Sequence, residues 1–292
     1  MRLYLVGHRC QYAVEQMLLT LFPGERPSCP TGPPSAQIGE NTLLSSLHRG
    51  KTWATASARL DWNGSRFWGR RRCKTALLDD PVDGIRVMQR IVKLAFYDAG
   101  AAALGREPPW GALTGVRPVK LPVRAMEQGA SPRQAARQLQ TLYHVSPARV
   151  DLAMDCAQQS LAAQKSLKAD HVSLYVGIPF CPTRCAYCSF VSADVGRTLK
   201  LVEPFVEGLC QELDELGALL NDLGLHVRTV YFGGGTPTTL SAGQLDRVTE
   251  RLARNIDLSQ CTEYTVEAGR PDTITAEKLA VLRRAGVNRI SV

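Results

Sequence analysis

From about residue 170 onward the sequence keeps one rhythm. The short apolar run HVSLYVGIP comes first, and a cysteine-rich loop follows it. EPFVEGLCQELDELGALLNDLG then has helical periodicity, and VRTVYFGGG reads as the next strand. AGQLDRVTERLARNI follows with Ser241 as its N-cap, then EYTVEAG, the helical AEKLAVLRRAG, and NRISV. Strand, helix, strand, helix, strand, helix, strand leaves few folds open. A helix between each pair of strands is the crossover that parallel neighbours require. Right-handed crossovers then predict an α/β fold, either a barrel or an open sheet with helices covering apolar strands. The fourth strand ends at Val292 without a helix to cover it. The sequence is therefore expected to be the N-terminal part of a longer chain, with its sheet incomplete.

Residues 1–165 have a different grammar and are expected to form a smaller α+β accessory domain, set apart from the 170–292 core. RLYLVG reads as a strand and AVEQMLLTLF as a helix that stops at Pro23-Gly24. Residues 25–40 are rich in Pro, Gly and Ser and read as a loop. KTWATASARLDW and SRFWGRR flank Asn63-Gly64, the two-residue signature of a type I′ hairpin. DGIRVMQRIVKLAFYDAGAAAL predicts a long amphipathic helix with Ile85, Met88, Ile91, Val92 and Ala95 on one face. The Pro/Gly-rich link WGALTGVRPVKLP precedes two helices near 131–143 and 147–166. Each opens on a Ser-Pro pair suited to N-cap and N1.

Composition decides the class. With 45% apolar and 21% charged residues the chain is globular rather than disordered. No apolar run is long enough for a membrane span, and MRLYLVGHRC lacks a signal peptide's apolar stretch. A cytoplasmic, reducing location is expected, so the nine cysteines are not read as a disulfide framework. The net charge of +8 is uneven: residues 1–170 carry 23 Lys and Arg against 13 Asp and Glu, residues 171–292 carry 12 against 14. The densest basic spot is Arg66, Arg70, Arg71, Arg72 and Lys74. It reads first as a solvated face. Its sharper reading is attraction to a polyanion, either nucleic acid or a substrate with several carboxylates. Nucleic acid is not the expected partner.

Three cysteines, Cys181, Cys185 and Cys188, stand in the eight residues CPTRCAYC. A zinc site would want a fourth ligand nearby. The nearest histidine, His171, should lie at the opposite end of its strand. Three thiols better suit a [4Fe–4S] cluster that keeps one iron open for a ligand. The position agrees, because chemistry in α/β folds collects at the C-terminal ends of strands. The cysteine loop follows the first strand of the repeat, GGGTP follows the second, and Glu267 ends the third. The glycines are a flexible turn or a place for close backbone approach to a ligand. Glu267 is a solvated residue or a holder of ligand hydroxyls or an amine. Tyr175 alternates within its strand, and core packing is its plain reading.

The C-x3-C-x2-C loop with an aromatic before its last cysteine, followed by GGGTP, resembles the radical S-adenosylmethionine (SAM) superfamily. LYVGIPFCPTRCAYCSF, VYFGGGTPTTL and RRAGVNRISV are similar to its oxygen-independent coproporphyrinogen III oxidase-like family. WGALTGVRPVKLP and YTVEAGRPDTIT look most like that family's coproporphyrinogen dehydrogenase branch, HemZ. The resemblance implies a partial (β/α) barrel, here cut in its fourth strand. It implies that Cys181, Cys185 and Cys188 hold the cluster and that its open iron binds SAM. Tyr175, Tyr187, Gly234, Gly235, Thr236 and Glu267 would contact SAM, with Tyr187 bordering the adenine. One electron from the cluster would split the sulfonium, and the resulting 5′-deoxyadenosyl radical would abstract hydrogen. The implied reaction converts two propionates of coproporphyrinogen III to vinyls with loss of CO2, with a flavodoxin- or ferredoxin-type electron donor. There is one departure. The decarboxylating oxidases carry a further cysteine two residues after the third, where this chain has Phe190. Phenylalanine there resembles the haem-chaperone branch, which does not decarboxylate. A third reading, a radical SAM enzyme acting on RNA, rests only on the basic N-terminal part.

Overall fold

A computed structural model describes residues 1–30, 41–81, 83–115, 117–190 and 192–292. The chain divides into two compact units, Met1–Ser166 and Leu167–Val292. No helix among the described residues is long and apolar enough to cross a membrane.

The first unit contains β1 (Arg2–Val6), α1 (Gln11–Leu21), β2 (Thr42–Arg49), β3 (Trp53–Trp62), β4 (Ser65–Lys74) and α2 (Gly84–Leu104). The helices α3 (Lys120–Glu127), α4 (Pro132–Tyr143) and α5 (Pro147–Lys165) complete it. The sheet order is β1-β2-β3-β4, with β1 parallel to β2 and the other pairs antiparallel. The β3–β4 turn has positive φ at both Asn63 (48°) and Gly64 (77°), as a type I′ hairpin requires. Ala54, Ala56, Ala58 and Leu60 alternate inward from β3 onto α1 and α2. Small residues there let the helices come close. At Gly69 of β4 an added Cβ would stand 1.9 Å from the Ala95 carbonyl oxygen of α2. The helices α3–α5 form a separate small core around Leu139, Val150 and Met154. Ser131 caps α4 in a capping box with Gln134, whereas Ser146 makes no side-chain cap bond at α5.

Three expectations for this unit need correction. Strand β2 was not foreseen, because the doublets in TLLSSLHR mask its alternation of buried Leu43, Ser45 and Leu47. Helix α3 grows out of the segment read as a link; its first turn tolerates Pro122, since the first N–H groups of a helix have no intrahelical partner. Ile85 is exposed rather than on the buried face of α2; Gly84 instead meets Leu78, whose carbonyl oxygen would be 2.5 Å from an added Cβ. Residues 31–40 of the expected loop, and Val116 of the link, lie outside the described residues.

The second unit contains β5 (His171–Ile178), β6 (Phe180–Cys181), β7 (Ala193–Asp194), α6 (Val195–Asp222), β8 (His226–Gly234), α7 (Ala242–Asn255), β9 (Glu263–Glu267), α8 (Ala276–Arg284) and β10 (Arg289–Ser291). The main sheet runs β10-β9-β8-β5 with every pair parallel. This is the α/β fold that the alternation predicts, with the sheet of a partial barrel. Val176, Ile178, Val230, Phe232, Tyr264 and Val266 meet the apolar sides of α6, α7 and α8 in one core. Burying a side chain of this size stabilises by roughly 1.5–3 kcal/mol.

The strands are not apolar on both faces. Their other parity carries Ser173, Tyr175, Thr229, Tyr231, Glu263 and Glu267. The register sets Tyr175 beside Tyr231 and Tyr231 beside Thr265. Interior-facing residues alternate with exterior ones along the strands of a barrel, so alternation survives in this parallel sheet. Helix α6 also begins eight residues before the expected EPFVEG start. Asp194 caps it by accepting from Gly196 N–H at 2.9 Å, and the helix continues through Pro204.

Candidate functional site

The site is built on strand ends. Strand β5 runs out through Ile178 and Pro179 into Cys181. The two-residue strand β6 pairs in parallel with β7, so the chain closes on itself on either side of the cysteine loop. The Ala193 N–H donates to the Pro179 carbonyl at 2.7 Å, and within the loop the Cys188 N–H donates to the Cys185 carbonyl at 3.1 Å. His171 lies at the start of β5, at the other end from the cysteines.

The end of β8 is fastened to this loop by main-chain bonds. Gly235 N–H donates to the Ile178 carbonyl and Thr236 N–H to the Phe180 carbonyl, both at 2.8 Å. The fit needs glycine. Gly234 has φ of 107°, and an added Cβ at Gly235 would stand 2.8 Å from the Phe180 oxygen and 3.0 Å from Cys181 Sγ. The Thr236 hydroxyl donates to Cys181 Sγ at 3.4 Å. The triple glycine is therefore more than a flexible turn. It lets backbone and hydroxyl reach a thiol.

Together these elements line a cavity of about 330 Å³. Cys181, Cys185, Cys188, Tyr187, Gly234, Gly235, Thr236 and Glu267 all face it. So do Phe190 and Arg270. Its volume is at the lower end of the range for small-molecule sites. All three thiols are free. Among the described residues no three His, Cys, Asp or Glu side chains gather around one point as a single ion requires. A cluster asks less convergence, because each thiolate takes its own iron. Three free thiols on one cavity wall, with no fourth, fit a cluster that keeps an open iron.

Tyr175 does not line the cavity. It is 60% exposed, so it is not core packing either. Its ring stacks on Tyr231, with centroids 5.9 Å apart and planes 10° from parallel. The Tyr231 hydroxyl in turn donates to Glu267 Oε1 at 2.6 Å. That bond, helped by burial and the carboxylate charge, pushes the Tyr231 phenol up to about 12. Tyr175 is raised as well, first by burial and then by Glu267. Tyr187 is 90% exposed at the mouth. Its phenol is raised first by a hydrogen bond to Cys185 and then by the nearness of the Cys185 and Cys188 sulfurs.

Sequence reasoning missed Tyr231 and Arg270. Arg270 forks onto Asp272 at 3.1 and 2.9 Å. Its Nη1 also donates to Thr183 Oγ1 at 3.1 Å and lies 4.0 Å from Cys185 Sγ. It ties the segment after β9 to the cysteine loop. The signal was present in strand parity for Tyr231, which shares a face with Tyr175. Nothing in the sequence pairs Arg270 with Thr183, 87 residues away.

Residues 175–292 match the model of the Radical SAM superfamily. These residues form a domain of that superfamily, whose cofactors are a [4Fe–4S] cluster and SAM. Within it the chain stands with the oxygen-independent coproporphyrinogen oxidase-like proteins, near HemZ. It is 38% identical over 213 residues to the oxygen-independent coproporphyrinogen-III oxidase-like protein HemZ of Bacillus subtilis, covering 72% of this chain and 42% of that protein. It is 39% identical over 120 residues to the heme chaperone HemW of Lactococcus lactis, covering 41% of this chain and 29% of that one. It is 31% identical over 151 residues to the oxygen-independent coproporphyrinogen III oxidase of Escherichia coli, covering 51% and 32%. The chain thus spans less than half the length of these curated relatives.

Proposed function

We propose that the protein is a radical SAM oxidoreductase that converts propionate side chains of coproporphyrinogen III to vinyls without oxygen. The observation that carries the radical SAM part is the cavity in which three free thiols meet the Gly234–Thr236 turn and Glu267. The substrate rests on the similarity to HemZ and to the coproporphyrinogen III oxidase. Cys181, Cys185 and Cys188 hold the cluster. When bound, cluster and SAM together supply a one-electron cleavage that allows hydrogen to be removed from an unactivated carbon.

The chain's own residues bind and orient. Gly234 and Gly235 let the main chain approach SAM closely. The Thr236 hydroxyl gives its hydrogen bond to Cys181 Sγ, which stabilises negative charge on that sulfur. Glu267, held by Tyr231, presents its remaining acceptor positions to the amine or hydroxyls of SAM. Tyr187, at the edge of the cavity, would border the adenine of SAM. Tyr175 acts at one remove, as a ring stacked behind Tyr231. The electron comes from a flavodoxin- or ferredoxin-type protein.

The test is anaerobic reconstitution of the protein with iron and sulfide, followed by addition of SAM and a one-electron reductant such as dithionite. Coproporphyrinogen III should yield protoporphyrinogen IX by chromatography. Cleavage of SAM without vinyl product would overturn the substrate and keep the superfamily. Replacing any one of the three cysteines by Ala should abolish the brown absorbance and the bound iron. Survival of both would overturn the ligand set. Phe190 motivates a second reading, a haem-binding chaperone, because it lines the cavity where a further cysteine would stand in the oxidases. One haem bound per chain without turnover is the outcome that selects it.

A further inference from the structure

The sheet of the Met1–Ser166 unit buries one face against α1 and α2; on the other, among the described residues, β4 and the start of β3 are exposed. Strand alternation sorts the basic run of β4 between them. Gly69 and Arg71 face α2, where Arg71 forks onto Asp98 at 2.7 and 2.6 Å. The opposite parity, Arg66, Trp68, Arg70, Arg72 and Lys74, points away from α2, and all five residues are exposed. The β3–β4 register brings Trp53 beside Lys74 and Arg59 beside Trp68 on this open face. Trp68 is 64% and Trp53 41% exposed. Two indoles in the open are a costly use of large apolar rings unless something covers them.

The charges on this face are not neutralised throughout. Asp61 pairs with Arg66 and Arg59 at one end. Among the described residues no ion pair engages Arg70, Arg72 or Lys74. The Arg72 guanidinium lies 4.7 Å above the Trp53 ring, and Lys74 Nζ lies 5.8 Å from it. Arg70 and Arg72 are two residues apart on one strand face, roughly 6.8 Å along the strand. The face therefore offers a row of cations with flat rings among them. The carboxylates of an acidic segment would pair with the cations but gain nothing from the negative faces of the rings. A strand of nucleotides uses both, since every base has a π-face and every linkage an anion.

We propose that this open sheet face binds single-stranded nucleic acid, with bases stacked on Trp68 and Trp53 and phosphates held by Arg70, Arg72 and Lys74. The sequence alone pointed away from such a partner. The strand register reverses that reading, because it removes Arg71 from the basic spot and puts two tryptophans into it.

The test is fluorescence anisotropy of the whole chain with a labelled oligoadenylate RNA of about twelve nucleotides. Affinity should fall with salt, with a log–log slope of about −2 for three phosphate contacts. Trp68→Ala should weaken binding about ten-fold and Trp68→Phe should restore most of it. Arg70→Ser or Arg72→Ser should each make the slope shallower by about 0.7. These residues are exposed, so the fold, followed by circular dichroism, should not change. Polyglutamate of matched charge or phosphatidylserine vesicles binding as tightly as the RNA would overturn the proposal. So would RNA affinity that ignores Trp68→Ala, or no binding at about 50 mM salt. Binding should be the same with and without a reconstituted cluster, so failure here leaves the radical SAM reading untouched.

Discussion

At the scale of single residues the chemistry was legible and its supports were not. The three cysteines, the glycine turn and Glu267 stand together around one cavity, as their positions at strand ends implied. Tyr175 is displaced by one neighbour, because Tyr231 takes the hydrogen bond to Glu267. That bond makes a prediction. The free phenol value is about 10, and the folded value of Tyr231 is about 12. A raised phenol favours the fold fully below pH 10, and this contribution is lost as pH rises through 12. Glu267→Gln removes the charge and the charged acceptor, so the Tyr231 titration should move down toward 10. Tyrosinate absorbance checks it, and an unmoved curve would place the cause elsewhere. Arg270 supports a second prediction. Its contacts to Thr183 and Cys185 hold the cysteine loop against the segment after β9. Arg270→Ala should reduce iron uptake on reconstitution several-fold at unchanged helix content. Arg270→Lys should recover only part, because it cannot fork onto Asp272.

At the scale of elements, period and caps did most of the work. The four main strands and the helices α7 and α8 of the Leu167–Val292 unit lie where their periodicity and the Ser241 cap put them, and Gln244 completes a capping box at α7. The misses have different causes. The doublets of β2 satisfy neither period, and only pairing with β1 and β3 makes them a strand. The helical periodicity was read from EPFVEG onward, yet the Asp194 cap begins α6 a full two turns earlier. The pair β6–β7 is too short to have any pattern. Close approach is the element-scale effect most open to test. Gly69→Ala would drive a methyl into the Ala95 carbonyl of α2. The helix must lift off β4, and stability measured by chemical denaturation should fall by about 1–3 kcal/mol or more. Gly208→Ala, with nothing within 4 Å of an added Cβ, serves as its control and should not destabilise.

At the scale of the whole molecule, the chain joins two units with separate cores through an exposed stretch at the end of α5 and before β5. Lys165 and Lys168 are both exposed there. Limited trypsin digestion should cut first at these lysines and leave a protected fragment from each unit. Persistence of the uncut chain while helices inside a unit are nicked would contradict the boundary. In the Leu167–Val292 unit the alternation of four main strands with helices, the α/β class and the placing of three thiols at a strand end followed from the sequence alone. These rest on local rules: side-chain period, caps, turn residues and the parallel pairing that intervening helices impose. Tertiary structure decided what long-range register controls. It set a polar strand face beside the thiols, joined Tyr231 to Glu267, tied Arg270 to the cysteine loop, and split one basic run between an ion pair with Asp98 and an exposed strand face with two tryptophans. Side chains distant in sequence become neighbours only when strands align and helices pack, and no local pattern records that distance.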